Sequence, residues 1–219
     1  MSRVEKGEEC RNPFSRELIR FAHEQGRALE MACGIPGARH VLGGALGYDA
    51  ALVGCYDIDL RLLVPDTGKD RDEVRRQIDS VKDLLAERAK GDPTFAAKFI
   101  DEGGTNYIWH TRQVVQAPGV PGDPDIKLTW NVQAESSYRS LAAMASRLPK
   151  EAIDRYVVAK WNARQAGDAA YRALKGEWKA LLSSLIESGG PAMPDEALRR
   201  LLDSKAAEFP RFLGENGHV

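Results

Sequence analysis

GGALGYDAALVGCYDIDL, residues 43–60, sets two adjacent glycines ahead of an Asp-x-Asp pair, with thirteen positions from Gly44 to Asp57. The run DIDLRLLV, 57–64, reads as a strand that ends at Pro65. In a strand, side chains two apart leave the same face about 6.5–7 Å from one another. Asp57 and Asp59 therefore stand side by side and Arg61 continues their row, while Ile58, Leu60 and Leu62 face the other way. Two like charges on one face are unfavourable unless a cation lies between them. Hard divalent cations suit paired carboxylates, and Mg2+ usually keeps waters and takes its other ligands from one or two carboxylates plus substrate phosphates. The pair thus points to a phosphate-bearing ligand. Gly43 and Gly44, lacking Cβ atoms, let backbone N–H groups approach a polyphosphate, and a helix starting after them adds its positive end. A diglycine alone is usually a turn, and an Asp-x-Asp strand is more often solvated or salt-bridged than catalytic. Their order and spacing together are the narrower signal.

Working outward, Asn12-Pro13 and Ser15 open a helix carrying Leu18, Ile19, Phe21, Ala22, Leu29 and Met31, which breaks at Gly34 to Gly37. His40-Val41-Leu42 reads as a short strand entering the glycines, and a brief helix or turn follows over 45–53. A second helix is expected over 70–90, with Val74, Ile78, Val81, Leu84 and Leu85 on one stripe. Pro93 opens a short helix to about residue 101. Strands are expected over 105–116 and 125–133, paired antiparallel across the loop APGVPGDP. From Ser136 onward the chain turns to Ala, Leu, Arg and Lys, with helices over 137–147, 150–166, 168–188 and 195–207. The organisation expected is a sheet-containing unit over 1–135 and a helical unit over 136–219.

Composition limits the functions open to the chain. Its 219 residues carry a formal net charge of −1, so there is no global pull toward nucleic acid or a membrane. Apolar residues make up 43% and charged residues 29%, which is ordinary for a globular protein. Cys10, Cys33 and Cys55 show no C-x-x-C spacing, which argues against a disulfide framework or a thiolate zinc site and fits a reducing cytoplasm. The N-terminus is charged, and no run of about 18 apolar residues occurs, so neither an ordinary export signal nor a membrane span is expected. His23, His40, His110 and His218 lack metal-ligand spacing, and no G-x-S-x-G or Walker-type lysine motif is present.

Leu42-Gly43-Gly44 followed by Asp57-Ile58-Asp59-Leu60 resembles the signature of the DNA polymerase beta-type nucleotidyltransferase superfamily, over roughly residues 38–66 plus one later acid. The resemblance implies an α+β fold: a mixed sheet flanked by helices, followed here by the C-terminal helical unit. It also implies two divalent metals, Mg2+ or Mn2+, held by the aspartates, and transfer of a nucleoside monophosphate from an NTP such as ATP to a hydroxyl with release of pyrophosphate. The third carboxylate it asks for belongs to a later strand. Asp125 heads DIKLTWNV in the right Asp-hydrophobic context, and Asp123, among Gly and Pro, is the weaker choice. Asp125 would bind the metal facing the acceptor hydroxyl and help take its proton, in a displacement with ions about 3.5–4 Å apart. The other reading of Asp125 is simply a strand start after a turn. Two positions depart from the pattern: Gly44 stands where many relatives have Ser, and Tyr56 where a small residue often precedes the first aspartate.

Arg61 and Lys127, continuing the faces of Asp57 and Asp125, point a cation at the edge of the acids, either to neutralise phosphates or to balance the aspartates. Residues 136–182 carry nine basic against four acidic side chains, interleaved with Tyr138, Tyr156, Trp161, Tyr171 and Trp178. That pattern fits first an aromatic core beneath a solvated basic face; the functional alternative is a surface gripping a base, an RNA acceptor or an anionic partner, with Lys160 and Arg164 foremost. The acceptor is left open among RNA, protein and a small molecule. The competing class is a catalytically silent nucleotidyltransferase-like module, antitoxin-like or regulatory, that binds a partner or nucleotide. A helical interaction protein with an accidental Asp-x-Asp is the weakest alternative.

Overall fold

The computed structural model describes residues 7–92, 100–101, 109–122, 124–205 and 208–209. The helices are α1 (Gly7–Cys10), α2 (Ser15–Cys33), α3 (Arg71–Gly91), α4 (Leu141–Ala145), α5 (Lys150–Ala166), α6 (Asp168–Glu187) and α7 (Asp195–Lys205). The strands are β1 (Arg39–Leu42), β2 (Asp57–Val64), β3 (Ile100–Asp101), β4 (Trp109–Val115) and β5 (Ile126–Ala134). The chain divides into two compact units. A sheet unit takes Phe14–Leu46 and Tyr56–Arg139; a helical unit takes Met1–Pro13, Gly47–Cys55 and Ser140–Val219. The fold is α+β with a mixed sheet and flanking helices, the class that the sequence implied.

In the sheet unit the strand order is β1-β2-β5-β4-β3. β2 runs antiparallel to β1 and parallel to β5, while β4 is antiparallel to both β5 and β3. The parallel register sets Asp57 beside Lys127, Asp59 beside Thr129 and Arg61 beside Asn131. Period-2 geometry then divides the sheet into two faces. Ile58, Leu60 and Leu62, with Ile126, Leu128, Trp130 and Val132, are buried on one of them. Helix α2 covers this face: His40, opposite Leu62, lays its ring on Gly26, where a Cβ would lie 2.7 Å from Nε2 and closer still to the ring carbons. Leu18, Phe21, Ala22 and Leu29 of α2 and Val74, Ile78, Val81 and Leu85 of α3 are buried stripes at helical spacing. The Asp70 side chain caps α3 by accepting from Glu73 N at 2.7 Å. At the end of α2, Gly34 takes the left-handed conformation, φ 63°.

The α2–β1 contact also holds a short polar chain. His40 Nδ1 donates to Glu30 Oε1 at 2.7 Å, and His40 Nε2 lies 2.9 Å from His23 Nδ1. Burial, then the neighbouring His40 and Arg27, lowers the His23 pKa below the ordinary histidine value.

The helical unit packs around stacked aromatic rings. Tyr156 and Trp178 lie 4.1 Å apart at 8°, both buried, and Trp178 Nε1 donates to the Tyr48 hydroxyl at 3.2 Å. Burial, then Tyr48, pushes the Tyr156 phenol well above its ordinary value. Arg11 bridges Asp49 at 3.0 Å and Asp154 at 2.7 Å. Burial works to raise the Asp154 pKa, but hydrogen bonds from Lys150 and Arg11 outweigh it and hold the carboxyl below its ordinary value.

Several boundaries differ from the sequence expectation. The helix expected over 137–147 is only α4, because a 3₁₀ turn occupies Glu135–Ser137 and Ser140 Oγ caps Ala143 N at 2.9 Å. The helix expected to reach residue 101 lies mostly outside the described residues, and its last two positions form β3 instead. Residues 105–108 at the head of the expected strand 105–116 also lie outside them. Among the described residues no helix is long and apolar enough to cross a membrane.

Candidate nucleotide and metal site

The second sheet face carries Asp57, Asp59 and Arg61 on β2, and Lys127, Thr129, Asn131 and Gln133 on β5. Exposure falls along both strands. Asp57 and Lys127 are exposed, Asp59 and Thr129 intermediate, and Asn131 and Gln133 buried. The face is therefore open where the two strands begin and closed toward their ends. At its closed end Arg61 donates from Nη1 to Gln133 Oε1 at 2.9 Å and lies 5.7 Å from the Tyr138 ring centre. Arg61 is thus partnered within the protein by a neutral amide and a ring. Asn131 Oδ1, beside Arg61 in the register, is buried with no hydrogen-bond partner among the described residues.

The diglycine bend lies against this face. Gly43 N donates to Asp59 O at 2.8 Å, so its amide, expected to reach a polyphosphate, instead ties the bend to β2. Gly44 has φ 61°, a conformation that side chains rarely adopt. A Cβ at Gly44 would overlap the Asp59 carboxylate, 3.0 Å from Cγ and closer to Oδ2. This also gives a physical reason for glycine where many sequences of the resembling family have serine: any side chain would displace the Asp59 carboxylate. The helix expected after the glycines is a single 3₁₀ turn, Ala45–Tyr48, too short to present a helix N-terminus.

Asp57 and Asp59 lie on β2 at the open end of the face, and Asp125, exposed, precedes β5 at the same end, two residues before Lys127. The position level with Asp57 on the neighbouring strand is Lys127. Asp123 lies outside the described residues. Two carboxylates side by side suit one hard divalent ion that completes its shell with water and phosphate. A second ion about 3.5–4 Å away needs further carboxylates, and the described residues contain no group of three His, Cys, Asp or Glu that would hold a cation.

Lys160 and Arg164, foremost in the expected basic surface, are placed otherwise. Lys160 is 3% exposed, its ammonium donates to Ala50 O at 2.8 Å, and it lies 5.7 Å from the Tyr156 ring centre. Arg164 Nη1 reaches Val53 O at 3.4 Å and Cys55 Sγ at 2.9 Å. Both side chains fasten the 50–55 stretch inside the helical unit. Lys160 is a correction in a plain sense: a side chain expected on an open surface is sunk in a core. Sequence spacing places it one turn before Arg164, but only the tertiary partner reveals its burial.

No family model matches the chain, and no curated protein matches it. Solved structures do. The GLD-2/RNP-8 complex aligns at 16% identity and a TM-score of 0.50, over 97% of this chain and 71% of that one. The Cid1 poly(U) polymerase, in a variant bound to MgATP, aligns at 14% identity and a TM-score of 0.50, over 77% and 51%. The chain spans 43% of Cid1 in its complex with the short product ApU. At these identities the shared feature is the fold.

Proposed function

We propose that the chain is a metal-dependent nucleotidyltransferase, which moves a nucleoside monophosphate from an NTP to a hydroxyl acceptor. The acceptor oxygen bonds to the α-phosphorus, the bond from that phosphorus to the bridging oxygen breaks, pyrophosphate leaves, and the hydroxyl proton is released. The observation that carries this reading is the contact between the diglycine bend and Asp59 of the acid pair. A left-handed Gly44 clears the space beside Asp59, and the Gly43 amide fixes the bend to the same strand.

Asp57 and Asp59 are the residues that would hold Mg2+ or Mn2+. Bound there, the ion would draw charge off the phosphate oxygens and fix their orientation. Lys127, exposed beside Asp57, supplies a further positive charge within reach of a phosphate oxygen. Arg61 orders the closed end of the face through Gln133 and Tyr138. RNA is the first acceptor to test, since Cid1 is a poly(U) polymerase; protein and small-molecule hydroxyls follow.

The test incubates the protein with Mg2+ or Mn2+, each labelled NTP beginning with ATP, and RNA, protein or metabolite fractions. Metal-dependent pyrophosphate release and a labelled acceptor are expected, both lost when Asp57 and Asp59 are replaced by Ala. Nucleotide binding without turnover on any fraction would overturn the transferase in favour of a silent binding or regulatory module.

A further inference from the structure

We propose that this site works with one divalent ion, because the residue level with Asp57 on β5 is Lys127 and not a carboxylate. The inference rests on the nucleotide-binding reading above and deepens it.

The parallel register fixes the argument. Paired residues on neighbouring strands leave the same face, and the strands lie about 4.7–4.9 Å apart. Asp57 and Lys127 are such a pair, both exposed at the open end of the face. The next pair up the face is Asp59 and Thr129, and Thr129 is no carboxylate. Asp125, just before this strand, falls one pleat outside Lys127, level with neither Asp57 nor Asp59. Lys127 thus takes the place nearest the pair.

Two divalent ions about 3.5–4 Å apart bring four positive charges into a small volume, and shared carboxylates are what make that tolerable. Here the acid pair already has an ammonium-bearing neighbour one strand away. That ammonium repels a second ion and offers none of the lone pairs an ion needs. With a triphosphate bound, the same group contacts a phosphate oxygen as a point charge, doing with a fixed cation part of what a second ion would do. Asp125 is then not a metal ligand, and its place before the strand is that of a residue leaving a turn.

Replacing Lys127 by Asp should reverse this by restoring a carboxylate level with Asp57. Bound Mn2+ per chain is counted by electron paramagnetic resonance in the presence of the α,β-methylene analogues of the four NTPs, taken in turn, and analogue binding is measured in parallel. Wild type is expected to hold one Mn2+ per chain and Lys127→Asp two, with Asp125→Asn leaving the wild-type count at one. Circular dichroism of each variant checks that the exposed strand position is tolerated. Two ions in wild type would overturn the one-ion inference while sustaining the nucleotide site. A count still at one in folded, analogue-binding Lys127→Asp would show that Lys127 is not what excludes the second ion. Neither Mn2+ nor any analogue bound by wild type would overturn the nucleotidyltransferase reading itself.

Discussion

Asp57 and Asp59 share the open end of a sheet face, whereas Lys160 is sunk in the helical unit with its ammonium on the Ala50 carbonyl. Both placements look costly from sequence alone, since like charges repel and a buried ammonium loses its hydration. The fold resolves the second inside the protein, through a backbone acceptor and an aromatic ring. The first lies on a face that is exposed at Asp57, with glycine backbone against the Asp59 carboxylate. The proposed function uses the charge at the open face, whereas the charge matched to the buried Ala50 carbonyl serves structure.

The sharpest way to break this contrast is to remove both acids. Asp57→Ala with Asp59→Ala should lower metal-dependent turnover by about 100-fold or more, with the melting temperature unchanged within about 2 °C. A protein that unfolds instead would place the acids with Lys160, as structural charges. Gly44→Ala comes next. It strains a left-handed residue by about 1–2 kcal/mol and pushes the Asp59 carboxylate aside, so Mn2+ affinity should fall much further than stability, as titration calorimetry beside urea unfolding would show. Lys160→Met probes the other side of the contrast. Losing the bond to Ala50 O should cost about 1–3 kcal/mol in urea unfolding, with the Mn2+ affinity of the folded protein unchanged.

The smallest effect expected concerns pH. His23 has a folded pKa below its unfolded value, so the unfolded chain binds more protons as the pH falls. Its contribution to stability is complete above about pH 6.5 and is lost as the pH drops through the folded pKa. Melting temperatures followed downward from about pH 7.5 should fall less in His23→Gln than in wild type. An equal fall in both would remove His23 as the source.

The sequence made much of the sheet unit legible. β2 spans the expected 57–64, β4 and β5 pair antiparallel as expected, and in the helical unit α5 spans the expected 150–166. These features come from local periodicity, which the chain carries in its own residue order. The period-2 rule also put Asp57, Asp59 and Arg61 on one face, as found. Other features depend on which distant segment becomes a neighbour. No local pattern says that β5 aligns Lys127 rather than Asp125 with Asp57, or that the Gly43 amide is taken by Asp59 O. The same holds for the stretch between the glycines and the acids. Its 47–55 portion belongs to the helical unit, with Ala50 and Leu52 fully buried, where sequence shows only a spacer.

Crystals grown with Mn2+ and a bound α,β-methylene NTP analogue would test the central claim most directly, through the anomalous signal of the metal. The account predicts one peak, within bonding distance of the Asp57 and Asp59 carboxylates and of phosphate oxygens, beside Gly44. A peak away from these two residues, with the triphosphate seated elsewhere, would contradict it.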